Sequence, residues 1–364
     1  MKQACLLCER TSLDGNLFCQ ESYCPAEMSP IILDHGEWLG DIEIVKPVII
    51  LRSAVLYEAM HQKKQIYLKV AHPGEENKER LKREAEFLQK QHGSKTPPPF
   101  LPLLRPPYAN TTVAADAYGK AMLREHLLYF YLFDYFEGEP LRDVLTKHPQ
   151  LWVNHVGWLM ISLASAVAFL NSQGFFHYGL SPEAVLVRFD DDPNVPRILL
   201  FDLGVISDAQ TLPRNWYPFA ALPAYTAPEL INVRQIRPSY ATDVYGLGLV
   251  LYELLVGEPP YPFKLNSDDE VYHAVQRNRR VRMNRVEDVK NVATIALQAV
   301  EIQPESRPPD AKTFHDQLVA YFGQVPAVKK SRWPSLNTMM VVVGAMLAIA
   351  FLITLALSIV ELAS

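Results

Sequence analysis

Hydrophobic and polar positions follow one another along the chain in patterns that predict both strands and helices. Three short apolar runs predict β-strands within residues 48–71, and a charged stretch with apolar side chains at helical spacing predicts a helix over 75–91. Farther along, residues 127–136 predict a continuous aromatic strand, and residues 156–173 predict a long apolar helix of the core. The pattern therefore predicts a chain of mixed α and β structure.

One stretch, residues 176–204, carries polar groups at the ends of two short apolar strands. The predicted strands are 185–187 and 198–201, and an Asp-rich turn joins them. The letters HYGLSPEA precede the first strand, and Asp-Leu-Gly at 202–204 follows the second. This layout resembles the catalytic loop and the metal-binding triplet of the protein kinase superfamily, whose pattern is H-R-D-x-x-x-x-N followed by D-F-G.

Most of the chemistry of that pattern is missing from this chain. His177 stands at the place of the family's His, but Gly179 replaces the catalytic Asp. Ser181 replaces the loop Lys of the Ser/Thr kinases, and Ala184 replaces the metal-binding Asn. Asp202 keeps its functional group, a carboxylate suited to one Mg²⁺. The resemblance therefore implies a pseudokinase with a degenerate catalytic loop and no catalytic residues.

Two charged residues before the loop resemble the kinase nucleotide site. Lys69 ends a predicted strand at the place of the phosphate-contacting lysine, and Glu84 lies in the next helix, where that lysine finds its partner. An ordinary surface ion pair is the alternative. Kinases cover the phosphates with a glycine-rich loop, but residues 48–59 contain no glycine. Lys69, Glu84 and Asp202 are therefore expected to be remnants of a site that binds Mg-ATP weakly or not at all.

The structural motifs of the larger kinase lobe are present. Glu229 ends a segment that resembles A-P-E, although Leu222 stands where the Ser/Thr kinases have Thr. Asp243 begins a segment that resembles the buried helix supporting the catalytic loop, and Arg307 resembles the arginine that pairs with Glu229. We expect these three charged residues to have structural roles.

The resemblance covers about residues 40–323 and implies an α+β, bilobal protein kinase-like fold. A small β-rich N-lobe is expected over about 40–136, and a larger helical C-lobe over about 137–323. A basic linker, residues 324–338, is expected to follow.

The four cysteines all lie near the N-terminus, in the pairs Cys5-x-x-Cys8 and Cys19-x4-Cys24. Two pairs at this spacing resemble a short zinc ribbon, in which four thiolates hold Zn²⁺ tetrahedrally. The alternatives are free thiols or, in an exported segment, disulfides. We expect a structural zinc within residues 1–30.

Residues 339–360 hold no charged side chain and predict a transmembrane helix. As a helix this stretch is about 33 Å long, enough to cross a bilayer core of about 30 Å. Three basic residues precede it in the linker, whereas Glu361 alone follows it, which predicts a single-pass, C-terminal anchor with the bulk of the chain cytoplasmic.

Composition narrows the function classes further. A net charge of -5, with acidic residues in excess over 1–40, argues against nucleic-acid binding. The expected function is a membrane-anchored signalling scaffold or regulator that acts through protein partners. One alternative is an active but atypical Ser/Thr protein kinase that binds ATP with Lys69, Glu84 and Asp202 and takes a substitute base from Asp190, Asp191 or Asp192. Another is an adaptor that binds nucleic acid or protein through the zinc ribbon.

Overall fold

The structure is a computed structural model, and it divides the chain into two units, residues 1–325 and 326–364. The described part comprises two short strands near the N-terminus and residues 31–92, 97–109, 116–123, 125–189, 196–216, 221–231, 239–261, 268–277, 283 and 289–323. The predicted zinc ligands, the aspartates 190–192, the linker 324–338 and the predicted membrane span 339–360 all lie outside the described residues.

Strands dominate the first half of the described chain. The two short N-terminal strands, β1 and β2, pair antiparallel with each other. A separate six-stranded antiparallel sheet has the order β3-β4-β5-β6-β8-β7. The strands are β1 (Gln3–Ala4), β2 (Thr11–Ser12), β3 (Trp38–Leu39), β4 (Ile42–Ile50), β5 (Ala54–His61), β6 (Lys64–Ala71), β7 (Gly119–Leu123) and β8 (His126–Asp134). Helix α1 (Glu75–His92) follows β6 and contacts β6 and β8.

Successive side chains of β6 point to opposite faces of the sheet and so belong to two different hydrophobic cores. Ile66, Leu68 and Val70 point to one face of the sheet and join a core made within the small lobe. Tyr67 and Ala71 point to the other face and join the larger core, which also includes the apolar face of α1. This alternation places the side chain between them, at position 69, on the α1 side of the sheet.

The larger lobe is mainly helical. A small sheet with the order β11-β10-β9 lies at its start. The strands and helices of the larger lobe are β9 (Glu139–Pro140), α2 (Leu141–Lys147), α3 (Val153–Ser172), β10 (Val185–Arg188), β11 (Arg197–Leu200), α4 (Leu212–Asn215), α5 (Pro228–Ile231), α6 (Tyr240–Val256), α7 (Asp268–Gln276), α8 (Lys290–Ala299) and α9 (Ala311–Phe322). Helices α3, α6, α8 and α9 pack on one another and form its centre.

Helix α3 is the one helix of the described chain that is long and apolar enough to cross a membrane. Of its most apolar window, 56% is buried inside the protein, and its residues belong to the core of the large lobe. Its composition is therefore that of a core helix, as the sequence pattern predicts.

The bilobal α+β architecture predicted from the sequence is present, with differences in detail. The first predicted strand, 48–51, is the end of the longer β4, and the aromatic strand ends at Asp134 rather than at residue 136. The pattern did not predict β3, β7 or β9. Two of these have two residues each, and β7 lies at the sheet edge, where half-exposed positions blur the hydrophobic alternation.

Candidate functional site

Lys69, Glu84 and Asp202 meet between the two lobes. Lys69 lies in the middle of the sheet, flanked by Leu56 of β5 and Tyr131 of β8. Its Nζ atom lies 2.6 Å from Oε2 of Glu84 and 2.9 Å from Oδ1 of Asp202. All three side chains are buried. The structure thus brings together the three residues that the sequence analysis selected for the nucleotide site.

The second oxygen of Glu84 holds the Asp-Leu-Gly segment, residues 202–204. Glu84 Oε1 accepts a hydrogen bond of 2.8 Å from the backbone N–H of Leu203. Burial raises the pKa of the Glu84 carboxyl, against the lowering effect of Lys69. One carboxylate therefore ties the central lysine of the small lobe to the backbone of the large lobe.

Arg80 is a fourth member of this cluster, and the sequence analysis missed it. Its Nη2 atom donates to both carboxylate oxygens of Asp202, at 3.2 and 3.0 Å, and the side chain is 3% exposed. Burial tends to raise the pKa of Asp202, but Arg80 and then Lys69 outweigh it and hold the pKa well below its usual range. One feature of the sequence could have identified Arg80. It lies four residues, about one helical turn, before Glu84 and therefore shares its face of α1.

The backbone of residues 177–184, here called the catalytic-loop frame, is held by two buried polar side chains, those of Asp243 and His177. Asp243 of α6 accepts hydrogen bonds from the backbone N–H groups of His177 and Tyr178 and from the amide of Asn171. His177 Nδ1 accepts from the N–H of Gly179 at 3.2 Å, so Nε2 carries the proton and donates to the carbonyl of Asp202 at 2.8 Å. Burial lowers the pKa of His177 to about 4, which keeps the ring neutral.

The reactive positions of that frame carry no acid, base or amide side chain. Gly179 offers backbone where a kinase has its base, and a Cβ atom added there would lie 3.4 Å from the Cα of Gly204. Ala184 is buried in the large core, and its carbonyl accepts hydrogen bonds from the N–H groups of Phe201 and Asp202. Ser181 is buried as well. The loop therefore keeps its backbone scaffold without the groups that move protons or bind metal.

The turn between β4 and β5 is short and fixed from both sides. Leu51 N donates to the carbonyl of Ala54 at 2.8 Å, and His72 donates through its backbone N–H to Ser53 and through Nε2 to Leu51. On the opposite side, Arg52 binds Asp268 at the start of α7. No glycine frees this turn to close over a phosphate group.

Two apolar side chains at or beside this turn pack into the protein interior. Ile49 and Leu51 are buried and belong to the same core as the large lobe. A pocket remains between the turn and the catalytic-loop frame, with Ser53, Ser181 and Asp202 among its lining residues. The phosphates of a nucleotide bound here would have to compete with Asp202 for Lys69.

The large lobe contains the second ion pair that the sequence analysis selected. Arg307 donates to both oxygens of Glu229, at 2.7 and 3.0 Å, and both side chains are fully buried. Thr242 adds a hydrogen bond of 2.8 Å to Glu229, and the ring of Tyr245 lies 4.6 Å from the guanidinium carbon. This pair joins α5 to the segment before α9.

A buried cluster around Arg142 lies beside the catalytic loop and was not anticipated. Arg142 donates to Glu183 at 2.6 Å and to the hydroxyl of Tyr225 at 2.6 Å, and it also pairs with Glu253. These partners belong to the catalytic-loop frame, to the segment before α5 and to α6. The cluster fixes the relative positions of these segments, since one guanidinium pairs with both carboxylates, those of Glu183 and Glu253.

The comparison with known families agrees with this architecture. The family model described as "Protein kinase domain" matches residues 117–321, which is more than half of the chain. The chain belongs to the protein kinase family. The match begins at residue 117, so Lys69 and Glu84 lie before the matched residues. Their likeness to kinase residues rests on the fold and on their contacts.

Curated relatives are similar over part of the kinase domain. A serine/threonine-protein kinase of Drosophila melanogaster, CG17528, is 28% identical over 146 residues, which are 40% of this chain and 19% of that protein. The serine/threonine-protein kinase STE20 of Saccharomyces cerevisiae is 24% identical over 208 residues, 55% of this chain and 21% of that protein. The chain thus matches about a fifth of the length of these curated relatives.

Solved kinase structures share the fold. The kinase domain of PknI from Mycobacterium tuberculosis matches with a TM-score of 0.52 and 19% identity, over 80% of this chain and all of that one. A structure of Rad53 in complex with AMP-PNP matches with a TM-score of 0.54 and 20% identity, over 77% of this chain and 66% of that one. At these identities the likeness concerns the fold alone, and it confirms the predicted bilobal kinase-like fold.

Proposed function

We propose that this protein kinase domain is a scaffold or regulator that binds protein partners and does not transfer phosphate. The observation that supports this proposal is the state of Asp202, whose buried carboxylate is held by Lys69 and Arg80. Gly179 provides no base, and Ala184 provides no ligand for a second metal ion. The loss of general-base catalysis by itself typically costs about 10²–10⁴ in rate.

The Mg²⁺ ions that the fold family implies do not fit the residues that are present. Asp202 is the one acidic side chain of the triplet, and two cations already contact it. Among the described residues, no group of three or more His, Cys, Asp or Glu side chains is placed to hold a metal ion. Mg²⁺ requires near-ideal octahedral coordination by oxygen atoms, and a single carboxylate that already pairs with two cations does not supply it.

The same geometry argues for weak nucleotide binding or none. Each charge-assisted hydrogen bond lost with the glycine-rich loop is worth about 1.5–3 kcal/mol. The loss of two or three such bonds moves a micromolar site, at about -8 kcal/mol, to millimolar or weaker binding. Ile49 and Leu51 stand at about the positions of loop glycines, and their side chains would keep the backbone amides from approaching the phosphates.

Phosphotransfer and nucleotide binding provide the test. Purified protein incubated with radiolabelled ATP should label neither itself nor generic protein substrates. Label on the wild type that is absent from Asp202→Ala would contradict the proposal. In a calorimetric titration with Mg-ATP, a dissociation constant below roughly 100 μM that weakens in Lys69→Ala would also contradict it.

The alternative is an active, atypical Ser/Thr protein kinase. The observation in its favour is the direct contact of Lys69 with both Glu84 and Asp202, the three groups that this alternative requires. The titration described above separates the two functions, because tight and Mg²⁺-dependent ATP binding is expected of the enzyme and not of the scaffold.

The proposal includes two further elements that lie outside the described residues. A zinc ion on Cys5, Cys8, Cys19 and Cys24 would supply most of the folding energy of so small a segment. Metal analysis of protein purified without chelator should find about one zinc per chain. Substitution of the four cysteines by serine provides the matched control, and an equal zinc content in both proteins would remove the ribbon.

The membrane anchor has a separate test. Truncation before Leu336 should release a soluble protein, because it removes the apolar stretch 339–360. In sealed membranes, a tag at residue 2 should be accessible to protease on the cytoplasmic side, and protection of that tag would overturn the orientation. Affinity capture of the detergent-solubilised chain from its native host is the way to identify the protein partners.

A further inference from the structure

Arg80 occupies a position in the cleft that the proposed function does not explain. It projects from the face of α1 that also carries Glu84, and its guanidinium reaches both oxygens of Asp202 at 3.2 and 3.0 Å. Lys69 contacts the same carboxylate at 2.9 Å. Asp202 therefore has two cationic partners at hydrogen-bond distance, although a carboxylate in a buried ion pair needs one.

The charges of the cluster balance without a metal ion. Lys69 and Arg80 supply two positive charges, and Glu84 and Asp202 supply two negative charges. All four side chains are buried, so a net charge here would be costly. A divalent cation added to the intact cluster would leave two uncompensated positive charges, whereas the cluster without Arg80 has one negative charge to offer.

We propose that Arg80 is the resident cation of Asp202 and takes the place that a divalent metal ion would need. This inference deepens the proposed function, because it gives the kinase domain a cleft that stays aligned without metal or nucleotide. The positions of α1 and of the Asp-Leu-Gly segment are then fixed by side chains of the chain itself. A binding surface that requires α1 and the Asp-Leu-Gly segment in these positions would then be available to a partner without any metal ion or nucleotide.

The neighbourhood of Arg80 supports this assignment. A Cβ atom at Gly179 would lie 3.8 Å from Arg80 Nη2, so the guanidinium lies against the position where a kinase has its catalytic Asp. An acidic side chain at 179 would compete with Asp202 for the guanidinium. The absence of an acid at 179 and the presence of Arg80 on Asp202 therefore belong to one arrangement.

The choice of an arginine is also consistent with a fixed structural cation. A guanidinium stays charged at all pH values that a protein tolerates, and its donors are held in a rigid plane. A buried lysine can lose its proton instead. The long side chain of Arg80 also spans the distance from α1 to the triplet while it remains buried.

Metal binding in the absence of nucleotide tests the inference. Arg80→Met removes the charge and retains most of the apolar length, and Lys82→Met is the matched control on the same helix, since Lys82 pairs with Glu79. The probe is Mn²⁺, with the free ion measured by electron paramagnetic resonance. We expect the wild type and Lys82→Met to show no binding in the millimolar range. Arg80→Met should bind Mn²⁺ at least about a hundredfold more tightly.

The double variant Arg80→Met/Asp202→Asn locates the site and should lose the binding again. The inference is overturned if the wild type binds Mn²⁺ as tightly as Arg80→Met, or if folded Arg80→Met gains no binding. Arg80→Gln serves where Arg80→Met does not fold. If neither folds, the wild type decides: Mn²⁺ binding that disappears in Asp202→Asn overturns the inference, and no binding supports it.

These results are distinct from those that test the proposed function. Phosphotransfer by the wild type would contradict the scaffold proposal whether or not Arg80 excludes a metal ion. Mn²⁺ binding by a wild type that transfers no phosphate would contradict the role of Arg80 and leave the scaffold proposal intact.

Discussion

Arg52 donates two hydrogen bonds to Asp268, at 2.7 and 2.9 Å, and so ties the turn between β4 and β5 to helix α7 of the large lobe. The arginine side chain is 4% exposed and the aspartate side chain 31%. Kinases need this turn to move, because nucleotides enter and leave beneath it. The ion pair therefore restrains this turn by attaching it to the large lobe.

The first prediction is that loss of this ion pair loosens the turn. Arg52→Met should lower the free energy of unfolding by about 1–3 kcal/mol, because a bidentate and largely buried contact is lost. Hydrogen exchange of the backbone amides at 51–53 should accelerate. Arg105→Met is the control, since Arg105 and Asp134 form an exposed pair whose loss should cost about 0–1 kcal/mol. In a double-mutant cycle, Arg52→Met and Asp268→Asn should be non-additive, and strict additivity would contradict the contact.

The second prediction compares two glycines of the catalytic region. Gly204 has a φ of +64°, and a Cβ atom there would lie 2.0 Å from the carbonyl oxygen of His177. Gly204→Ala should therefore cost about 4 kcal/mol or more, or prevent folding. Gly179 has ordinary backbone and room for a Cβ atom, so Gly179→Ala should change stability by about 1 kcal/mol or less. Urea unfolding of both variants decides, and equal losses would contradict it.

This comparison also concerns the lost base. If Gly179→Ala is tolerated, the backbone does not require glycine at this position, and the absence of an acid there is not a steric necessity. An acidic side chain at 179 would still lie beside Arg80, so Gly179→Asp should fold and remain inactive in the radiolabel assay.

The third prediction concerns the buried pair of the large lobe. Arg307→Met leaves the carboxylate of Glu229 buried without its main partner and should cost about 3–5 kcal/mol. Lys312→Met is the control, because Lys312 and Asp316 form a solvent-exposed pair on α9 whose loss should hardly change stability. Thermal unfolding of the two variants measures the difference. A similar melting temperature for both would contradict a structural role of Arg307.

The fourth prediction is a dependence of stability on pH through His72. Burial lowers the pKa of His72 from 6.5 to about 4. A group whose pKa is lower in the folded state stabilises the fold fully above the unfolded pKa, and this contribution is lost as the pH falls from about 6.5 towards 4. The difference corresponds to about 3 kcal/mol. His72→Gln, whose amide can still donate to Leu51, should therefore lose less stability than the wild type between about pH 7 and about pH 4.5.

Other groups also contribute to the pH dependence of both proteins, His177 and Asp243 among them. Burial lowers the pKa of His177 to about 4 and raises the pKa of Asp243 to about 6, and these two shifts have opposite effects on stability as the pH falls. The difference between wild type and His72→Gln removes both contributions. Identical losses in the two proteins would show that His72 carries none of the pH dependence.

The sequence by itself determined much of the fold and part of the candidate site. Helical spacing identified α1 and α3, and apolar runs identified β5 and β6, because burial on one face imposes these periods locally. The order of motifs placed Lys69, Glu84 and Asp202 in one site. Residue identities alone show that Gly179 and Ala184 replace the Asp and the Asn of the kinase pattern. They also show that residues 48–59 contain no glycine.

The tertiary structure alone decided which partners the remaining charges have. Arg80 and Asp202 are 122 positions apart, and Arg52 and Asp268 are 216 positions apart. A local pattern determines which face of a helix or strand a side chain occupies, but it does not name the partner that the side chain meets. The carboxylate that meets a side chain across the cleft depends on how the two lobes pack against each other, and no local period encodes that packing.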